Sequence, residues 1–426
     1  MPQPASPTGA APGSLPTAAD VQAAAERLAG LVRYTPLTRS HRLSELTGAK
    51  VLLKREDLQP VRSYKLRGAT NLIAGLDPDV AARGVVCASA GNHAQGVASA
   101  AAMLEVPARV YLPRTTPRQK RDRVAAIGGE HVEVVITGGT YDDAAVAAAD
   151  DAARTGATLV PAFDDPLVVA GQGTVAREIT EVLGHAPDVL VVPVGGGGLL
   201  AGCLTWLRET WPGCRVVGVE PAGAASMAAA LEAGGPVTLE HVDPFVDGAA
   251  VRRVGSVTYP VVAAGGVELV AVPEGRVCVE MLALYQTEGI VTEPAGALAA
   301  AALETLEVEE GQTVVVVVSG GNNDVLRYPE VVERALVHEG RKHYFLVEFP
   351  QEPGALRRFL DEVLGPDDDI ALFEYAKRSN RETGPALVGI ELGDPADLGP
   401  LLERMAASPV QIERIPPDSP LFGFLL

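Results

Sequence analysis

Residues 189–202 read Val-Leu-Val-Val-Pro-Val-Gly-Gly-Gly-Gly-Leu-Leu-Ala-Gly. The apolar run before the glycines is typical of a strand covered on both faces, and a helix is expected to begin after them. A simple turn does not explain the four glycines Gly195 to Gly198, since each costs backbone entropy. They let several N–H groups converge on one anion at the positive end of a helix, and a phosphate monoester suits such a turn.

The glycine turn differs from the two common nucleotide-binding patterns. It is not G-x-x-x-x-G-K-[ST], so a nucleoside triphosphate is not expected. It is also not a clean G-x-G-x-x-G followed by a ribose-binding acid, which disfavours a dinucleotide-dependent oxidoreductase. A dinucleotide-dependent oxidoreductase therefore ranks third among the alternative functions, after the related enzymes and the non-catalytic protein described below.

Short apolar runs alternate with Ala-rich helical stretches on both sides of this turn. Strands alternating with helices predict an α/β fold with parallel sheets and right-handed crossovers. At this length we expect two lobes with the active site between them. The predicted strands are 51–53, 84–87, 108–112, 132–136, 189–194, 215–219 and 313–318.

The pattern changes near residue 340, where a second kind of domain is expected. The predicted order is strand 343–349, a helix from Pro353 to Leu364, strands 370–376 and 386–392, a helix over 397–407 and strand 410–415. That order, βαββαβ, is the ferredoxin-like split motif. The chain is therefore divided into a tail expected to be disordered (1–19), a catalytic domain (20–338) and a C-terminal domain (339–426).

Composition narrows the possible partners and the compartment. The formal net charge of −19 disfavours nucleic acid, because phosphate contacts need basic patches. No apolar run approaches the roughly 20 residues that span a bilayer, and the N-terminus lacks the features of a secretory signal. The four cysteines form no C-x-x-C pair, which favours reduced thiols in a cytoplasmic protein without a metal site.

Three further segments carry groups that could do chemistry. Lys65 lies in Ser-Tyr-Lys-Leu-Arg-Gly-Ala, and a desolvated lysine can form a Schiff base with an aldehyde, although most such lysines are simply exposed. Residues 89–96 read Ser-Ala-Gly-Asn-His-Ala-Gln-Gly after a strand, which indicates a helix N-terminus that binds a carboxylate or phosphate, or an ordinary loop capped by Asn92. Ser319 follows a run of five valines, where it faces the ligand crevice or caps a helix.

Together these segments resemble the fold-type-II pyridoxal-phosphate enzymes, and specifically the threonine dehydratase (threonine ammonia-lyase) family. The motifs S-Y-K-L-R-G-A, S-A-G-N-H-A-Q-G, G-G-G-G-L and S-G-G-N occur in the family's order and at its approximate spacing. Tyr64 departs from the family, which often has Phe there. The C-terminal stretch from Phe349 to Leu356 resembles the ACT-like regulatory domain of the biosynthetic, short-form enzymes.

The resemblance implies a role for each motif residue. Lys65 is expected to hold pyridoxal 5'-phosphate as a Schiff base and to act as the catalytic base, and Asn92 to hydrogen-bond the phenolic oxygen of the cofactor. Ser319 is expected to face the pyridine nitrogen, and Glu293 to lie near the ring. The residues expected to bind the cofactor phosphate are Gly195, Gly196, Gly197, Gly198 and Leu199, and those expected to receive the substrate carboxylate are Ser89, Ala90, Gly91 and Asn92.

The resemblance also implies an activity: β-elimination of ammonia from L-threonine to 2-oxobutanoate, the first step of isoleucine biosynthesis. L-serine is a second candidate substrate, isoleucine and then valine are the expected effectors, and a homotetramer is expected. The same fold leaves open a catabolic serine/threonine dehydratase, a serine racemase or a threonine synthase. An amino-acid-sensing protein that binds the cofactor without catalysis is the alternative from another class. By analogy with relatives, Glu220 could lie near a bound cation. The alternative, which is favoured, is that Glu220 is an ordinary surface acid after a strand.

Overall fold

The computed structural model describes residues 15–375, 382–417, 419, 421–422 and 425. They fold as two compact units: one comprises the described residues up to Glu274 together with Ala283–Asn323, and the other Gly275–Leu282 and the described residues from Asp324 onward. The second unit thus begins about fifteen residues before the expected boundary at 339. Residues 1–14 of the expected tail lie outside the described residues. Ala18 and Ala19 are helical, because Thr17 caps the first helix with its side chain.

The first unit contains ten strands. They are β1 (Leu37–Arg39), β2 (Lys50–Arg55), β3 (Val85–Ala88), β4 (Ala108–Leu112), β5 (Val132–Ile136), β6 (Thr158–Leu159), β7 (Val189–Pro193), β8 (Arg215–Pro221), β9 (Glu268–Val272) and β10 (Thr313–Val318). One sheet has the order β1-β2-β10-β7-β8-β9 and the other the order β5-β4-β3-β6. Every pairing is parallel except that of β1 with β2, so the predicted α/β class with parallel sheets is confirmed.

Helices cover both sheets and make each lobe's apolar core. They are α1 (Ala18–Leu28), α2 (His41–Thr47), α3 (Lys65–Ala74), α4 (Pro78–Ala81), α5 (Asn92–Leu104), α6 (Arg118–Gly128), α7 (Tyr141–Thr155), α8 (Pro166–Leu183), α9 (Gly198–Thr210), α10 (Ser226–Ala233), α11 (Thr258–Ala264), α12 (Glu274–Glu288) and α13 (Pro294–Ala301). Of α12, residues Gly275–Leu282 belong to the second unit. The valines of β10 are fully buried, as strands covered on both faces require. Strands β1, β6 and β9 were not predicted, since two are very short and β9 is half exposed.

A buried charge network ties α3 to α8 and β2. The Arg67 guanidinium donates to both carboxylate oxygens of Glu56 at 2.8 Å and to Glu178 at 2.6 and 2.9 Å. The Lys54 ammonium donates to Glu178 at 2.5 Å and to the Thr35 carbonyl at 2.7 Å. Two cations thus share two carboxylates away from solvent, and removal of one partner would leave an uncompensated buried charge.

Glu178→Ala should therefore destabilise the protein by about 3–5 kcal/mol, because Arg67 and Lys54 would keep a single carboxylate between them. The matched control is Asp122→Ala, which breaks the ion pair between Asp122 and Arg118. The Arg118 side chain is 85% exposed and that of Asp122 is 67% exposed. That change should cost less than about 1 kcal/mol. Chemical denaturation of the two variants and the parent would measure the difference. Equal losses in the two variants would show that the network contributes no more than a surface pair.

The second unit is a small antiparallel sheet with helices. After α14 (Tyr328–His338) come β11 (Lys342–Pro350), α15 (Ala355–Val363), β12 (Asp369–Tyr375), β13 (Thr383–Glu391), α16 (Leu398–Ala407) and β14 (Gln411–Ile415). The sheet order is β12-β13-β11-β14, and every pairing is antiparallel. The predicted βαββαβ order is confirmed. Ala376, the predicted end of the third element, lies outside the described residues.

The larger apolar core of this unit lies on one face of the sheet, and a smaller cluster around Tyr344 lies on the other. Phe345, Val347 and Phe349 of β11 pack with Phe359 of α15 and Leu401 of α16. Their period-two spacing places alternate side chains on the face of the larger core. Across the described parts of both units, no helix has the length and apolarity needed to cross a bilayer. Those residues also bring together no group of three or more His, Cys, Asp or Glu side chains that could hold a metal ion.

Candidate active site

Lys65 is the first residue of α3, held against the carboxyl end of β10. The Tyr64 amide donates to the Ser319 carbonyl at 3.1 Å, and the Gly321 amide donates to the Arg62 carbonyl at 2.9 Å. Arg62 has a φ of +56°, a left-handed conformation that is uncommon for a residue with a side chain. These backbone contacts fix the start of α3 beside the strand end where ligands bind in open α/β sheets.

The amine of Lys65 is half-buried among apolar and carbonyl groups. Its Nζ donates to the Ala162 carbonyl at 2.8 Å and lies 5.3 Å and 5.9 Å from the ring centres of Tyr64 and Phe163. Burial lowers the pKa of Lys65 from 10.5 to about 8, against the opposing effect of the Glu293 carboxylate. The unprotonated amine, which is the form that attacks an aldehyde, is therefore much more populated at pH 7 than in an ordinary lysine.

The glycine turn joins β7 to α9 in close contact with the loop that follows β6. Gly197 has a φ of +91°, which side chains rarely allow. A Cβ on Gly196 would overlap the Phe163 ring. The same ring lies over Lys65, so Phe163 connects the lysine to the glycine turn. Below it, Asp164 accepts from the Ser256 and Val257 amides at 2.8 and 2.7 Å and holds this loop in place.

The backbone amides of the turn are free to bind a ligand. Gly196 to Leu199 are buried, yet none of the N–H groups from Gly195 to Leu199 donates to a partner among the residues that the structure describes. Buried amides are nearly always paired, so a set of unpaired ones at the positive end of α9 indicates that an anion completes them. The residues present therefore fit the phosphate of pyridoxal phosphate.

The second predicted segment forms the turn before α5. Asn92 is the first residue of α5 and Gly91 its cap residue, with the Gly91 amide donating weakly to Ser89 Oγ at 3.3 Å. A Cβ on Gly91 would meet nothing within 4 Å, so the turn borders open space. Gly96, one turn into α5, packs its Cα against the backbone of Lys65, where an added Cβ would lie 3.1 Å from the Lys65 carbonyl carbon. Residues 89–92 thus lie close to the lysine.

Asn92 and Glu293 meet across the site. Asn92 Nδ2 donates to Glu293 Oε1 at 2.5 Å, and Asn92 Oδ1 accepts from Asn322 Nδ2 at 2.8 Å. Burial raises the pKa of Glu293 to about 7, helped by the negative charge of Asp247. Glu293 is therefore a buried carboxyl with a pKa near 7. Its position near the cofactor ring, which the family resemblance implies, stays a prediction.

Ser319 is buried at the end of β10, and its Oγ lies 3.0 Å from the Ala295 carbonyl at the start of α13. It carries no charge of its own.

Glu220 is not the surface acid that was expected: it is buried in β8, and its two carboxylate oxygens accept from the Met227 and Ala228 amides at 2.7 and 2.9 Å. That carboxylate caps α10 with both its oxygens.

Glu293→Gln should change how stability depends on pH. A carboxyl whose folded pKa of about 7 exceeds the unfolded 4.5 contributes stability that is present below pH 4.5 and lost as pH rises through 7. The glutamine variant lacks this loss, so relative to the parent it should gain about 3 kcal/mol between pH 4.5 and pH 9. Denaturation of cofactor-free protein across that range would measure it, with exposed Glu45→Gln as the control. A constant offset across the range would contradict the raised pKa.

The structure adds two residues that sequence reasoning missed. Phe163 covers both Lys65 and the glycine turn, and Asn322 contacts Asn92. The only sequence signal for Asn322 was its place three residues after Ser319 in the S-G-G-N segment. Nothing in the sequence around Phe163 marks it, because its neighbours in space lie far away along the chain.

Comparison with known proteins agrees with this geometry. Residues 28–320 match the family profile of pyridoxal-phosphate dependent enzymes, and residues 333–425 match the C-terminal regulatory domain of threonine dehydratase. The first match defines the class of this chain, a pyridoxal-phosphate-dependent enzyme, and confirms the predicted cofactor.

Relatives narrow the class further. The chain is 61% identical to the biosynthetic L-threonine dehydratase of Mycobacterium tuberculosis over 410 residues, 96% of each chain, and 49% identical to that of Bacillus subtilis over 397 residues, 93% of this chain and 94% of the relative. Among solved structures, it resembles the processed threonine deaminase isoform 2 of Solanum lycopersicum with 36% identity and a TM-score of 0.70, over 77% of this chain and 99% of that one. The chain belongs to the family of biosynthetic L-threonine dehydratases, as the motifs predicted.

A maize serine racemase resembles it equally well in fold, with a TM-score of 0.70 and 29% identity over 76% of this chain and 99% of that one. The fold of the first unit therefore does not by itself separate elimination from racemisation. The match to the regulatory domain over residues 333–425 favours the dehydratase.

Proposed function

We propose that this chain converts L-threonine to 2-oxobutanoate and ammonia, with Lys65 as the residue that holds the cofactor and moves the Cα proton. The observation that carries the proposal is a half-buried amine of lowered pKa beside the Phe163 ring, which also packs against Gly196 in the turn of unpaired amides. Pyridoxal phosphate, when bound, supplies an electron sink for the charge left at Cα.

The chain's own residues have distinct tasks in this proposal. The amides from Gly195 to Leu199 bind the cofactor phosphate, and the turn from Ser89 to Asn92 receives the substrate carboxylate at the N-terminus of α5. Lys65, once its amine is free, is a base of pKa near the working pH, which is where proton transfer is most efficient. Ser319 faces the pyridine nitrogen, and as a neutral group it does not favour the protonated form of that nitrogen.

The regulatory unit supports control by an amino acid. We infer that isoleucine lowers activity, that valine is a second effector, that the protein works in the cytoplasm and that it forms a tetramer. The match of residues 333–425 to a threonine dehydratase regulatory domain supports the first of these inferences. An effector can inhibit only by binding the low-activity state more tightly than the active one.

One assay tests both parts of the proposal. We expect purified protein to form 2-oxobutanoate from L-threonine faster than it forms pyruvate from L-serine, with no racemised serine. Isoleucine should lower the initial rate at subsaturating threonine by at least about fivefold, the lower end of typical allosteric coupling. Racemisation without elimination would overturn the activity, and a rate unaffected by isoleucine would overturn the effector while leaving the activity in place.

A further inference from the structure

Asn322 lies three residues beyond Ser319 and touches Asn92, Glu293 and the loop before α3. We infer that Asn322 is a positioning residue that sets which end of the Asn92 side-chain amide faces the cofactor. The inference rests on the proposed role of Asn92 as a cofactor ligand. It assigns to Asn322 no contact with the cofactor itself.

The direction of the hydrogen bonds follows from a backbone carbonyl. The Val61 carbonyl oxygen can only accept, and the atom of Asn322 that lies 2.7 Å from it must therefore be the amide nitrogen. That same nitrogen lies 2.8 Å from Asn92, so the Asn92 atom facing it must be the oxygen. The Asn92 nitrogen is then the atom directed at Glu293 Oε1, 2.5 Å away.

This orientation leaves a donor where the cofactor needs one. The Asn92 NH₂ group has two hydrogens, of which one goes to Glu293 and the other remains for the phenolic oxygen of the cofactor, which accepts. With the amide reversed, the Asn92 oxygen would face the ionised form of the Glu293 carboxylate and an ionised phenolic oxygen, and neither of these can donate to it. The Asn322 backbone N–H also lowers the pKa of Glu293, so one residue acts on both partners of the contact.

The unpaired end of Asn322 points to the same role. Its Oδ1 is buried and has no hydrogen-bond partner among the residues that the structure describes. A buried acceptor without a partner is costly, and an apolar side chain of similar size would avoid that cost. The Asn322 side-chain nitrogen contacts Val61 and Asn92, whereas its oxygen has no partner within the described ranges. An asparagine is therefore needed here for its nitrogen.

Two substitutions test the inference on the full-length protein. Asn322→Leu keeps the size and removes the donor, and it should raise the dissociation constant for pyridoxal phosphate about tenfold. Asn322→Asp offers only acceptors to Asn92, which should turn the Asn92 amide around and raise the dissociation constant further. In both variants the pH at which the visible absorbance of the bound cofactor changes should shift from the parent's value. Asn323→Leu is the matched control, since neither side-chain polar atom of Asn323 has a partner in the described chain.

A double-mutant cycle separates positioning from a general loss of structure. In an Asn92→Ala background, Asn322→Leu should change cofactor affinity by less than twofold, because the residue through which it acts is gone. The melting temperature of cofactor-free Asn322→Leu should stay within about 5 °C of the parent's, because the variant loses only the hydrogen bonds of one side chain. An unchanged dissociation constant and absorbance in Asn322→Leu, or an equal loss of affinity with Asn92 present and absent, would overturn the inference. These readouts need no threonine turnover, so they stand apart from the test of the activity.

Discussion

Lys65→Ala is expected to lower the rate of 2-oxobutanoate formation from threonine by at least about a thousandfold. The variant loses the amine that binds the cofactor covalently and, with it, the base for the Cα proton, and positioned general bases alone contribute about 10²–10⁴-fold. The variant should also lose the visible absorbance of the bound cofactor. Lys65→Arg keeps the positive charge but cannot condense with an aldehyde, so it should be equally inactive.

The matched control for this prediction is Lys50→Ala, which removes an exposed lysine at the start of β2. It should leave turnover within about twofold of the parent, as surface substitutions usually do. Steady-state assays of the three variants at a fixed cofactor concentration would provide the comparison. A Lys65→Ala enzyme within tenfold of the parent would remove the lysine from the mechanism.

Gly196→Ala is expected to weaken binding of pyridoxal phosphate about a hundredfold. Gly196 has an ordinary φ, so the backbone tolerates alanine, but the added methyl group would overlap the Phe163 ring and push it or the turn out of place. Overpacking a well-packed site costs about 1–3 kcal/mol, and the amides of the turn act on the phosphate together, so a small displacement affects them all. The upper end of that range corresponds to about a hundredfold in affinity.

Two further variants show whether Phe163 is the cause. Gly213→Ala, where a Cβ would meet nothing within 4 Å, should leave cofactor affinity unchanged. Adding Phe163→Ala to Gly196→Ala should recover at least part of the affinity, because it removes the atoms that the methyl group would meet. Cofactor titration of refolded or resolved apoprotein measures all of these. A Gly196→Ala protein that binds as tightly as the parent would show that the turn is not the phosphate site.

Local sequence predicted most of the first unit. Buried strands such as β7 and β10 are recognisable because both of their faces are apolar, and the glycine turn between β7 and α9 stands out because glycine is costly there. The edge strand β1 was missed because it is three residues long and pairs antiparallel with β2. Strand β9, exposed on part of its length, lacks the continuous apolar run.

The motifs located the candidate site residues, but not the contacts that hold them. Lys65, Asn92 and Ser319 lie in separate segments, and only folding brings Ser319 next to Tyr64 and Asn92 next to Glu293. The lowered pKa of Lys65 and the raised pKa of Glu293 both arise from burial, which no local pattern reveals. The Arg67 network was invisible for the same reason, since Glu56 and Glu178 lie 11 and 111 residues away along the chain.

The predicted boundary at 339 and the start of the continuous part of the second compact unit at Asp324 are separated by one α-helix. The change of pattern near residue 340 coincides with β11, the first strand of the small sheet. It gives no signal for α14, the helix that precedes this strand. Helix α14 is amphipathic, and Val331 and Ala335 are its buried residues, so by pattern alone it resembles the helices of the first unit. Assigning it to the second unit requires knowing what its apolar face contacts.

The central claim, that Lys65 is the residue that holds the cofactor, can be tested most directly by trapping. Borohydride reduction of the purified holoenzyme, followed by protease digestion and mass spectrometry, would fix pyridoxal phosphate to the amine that holds it. We predict that the added mass is found on the peptide that contains Lys65 and on no other. Its presence on a peptide that contains a different lysine, such as Lys54 or Lys120, or no added mass on an enzyme that is active with threonine, would contradict the account.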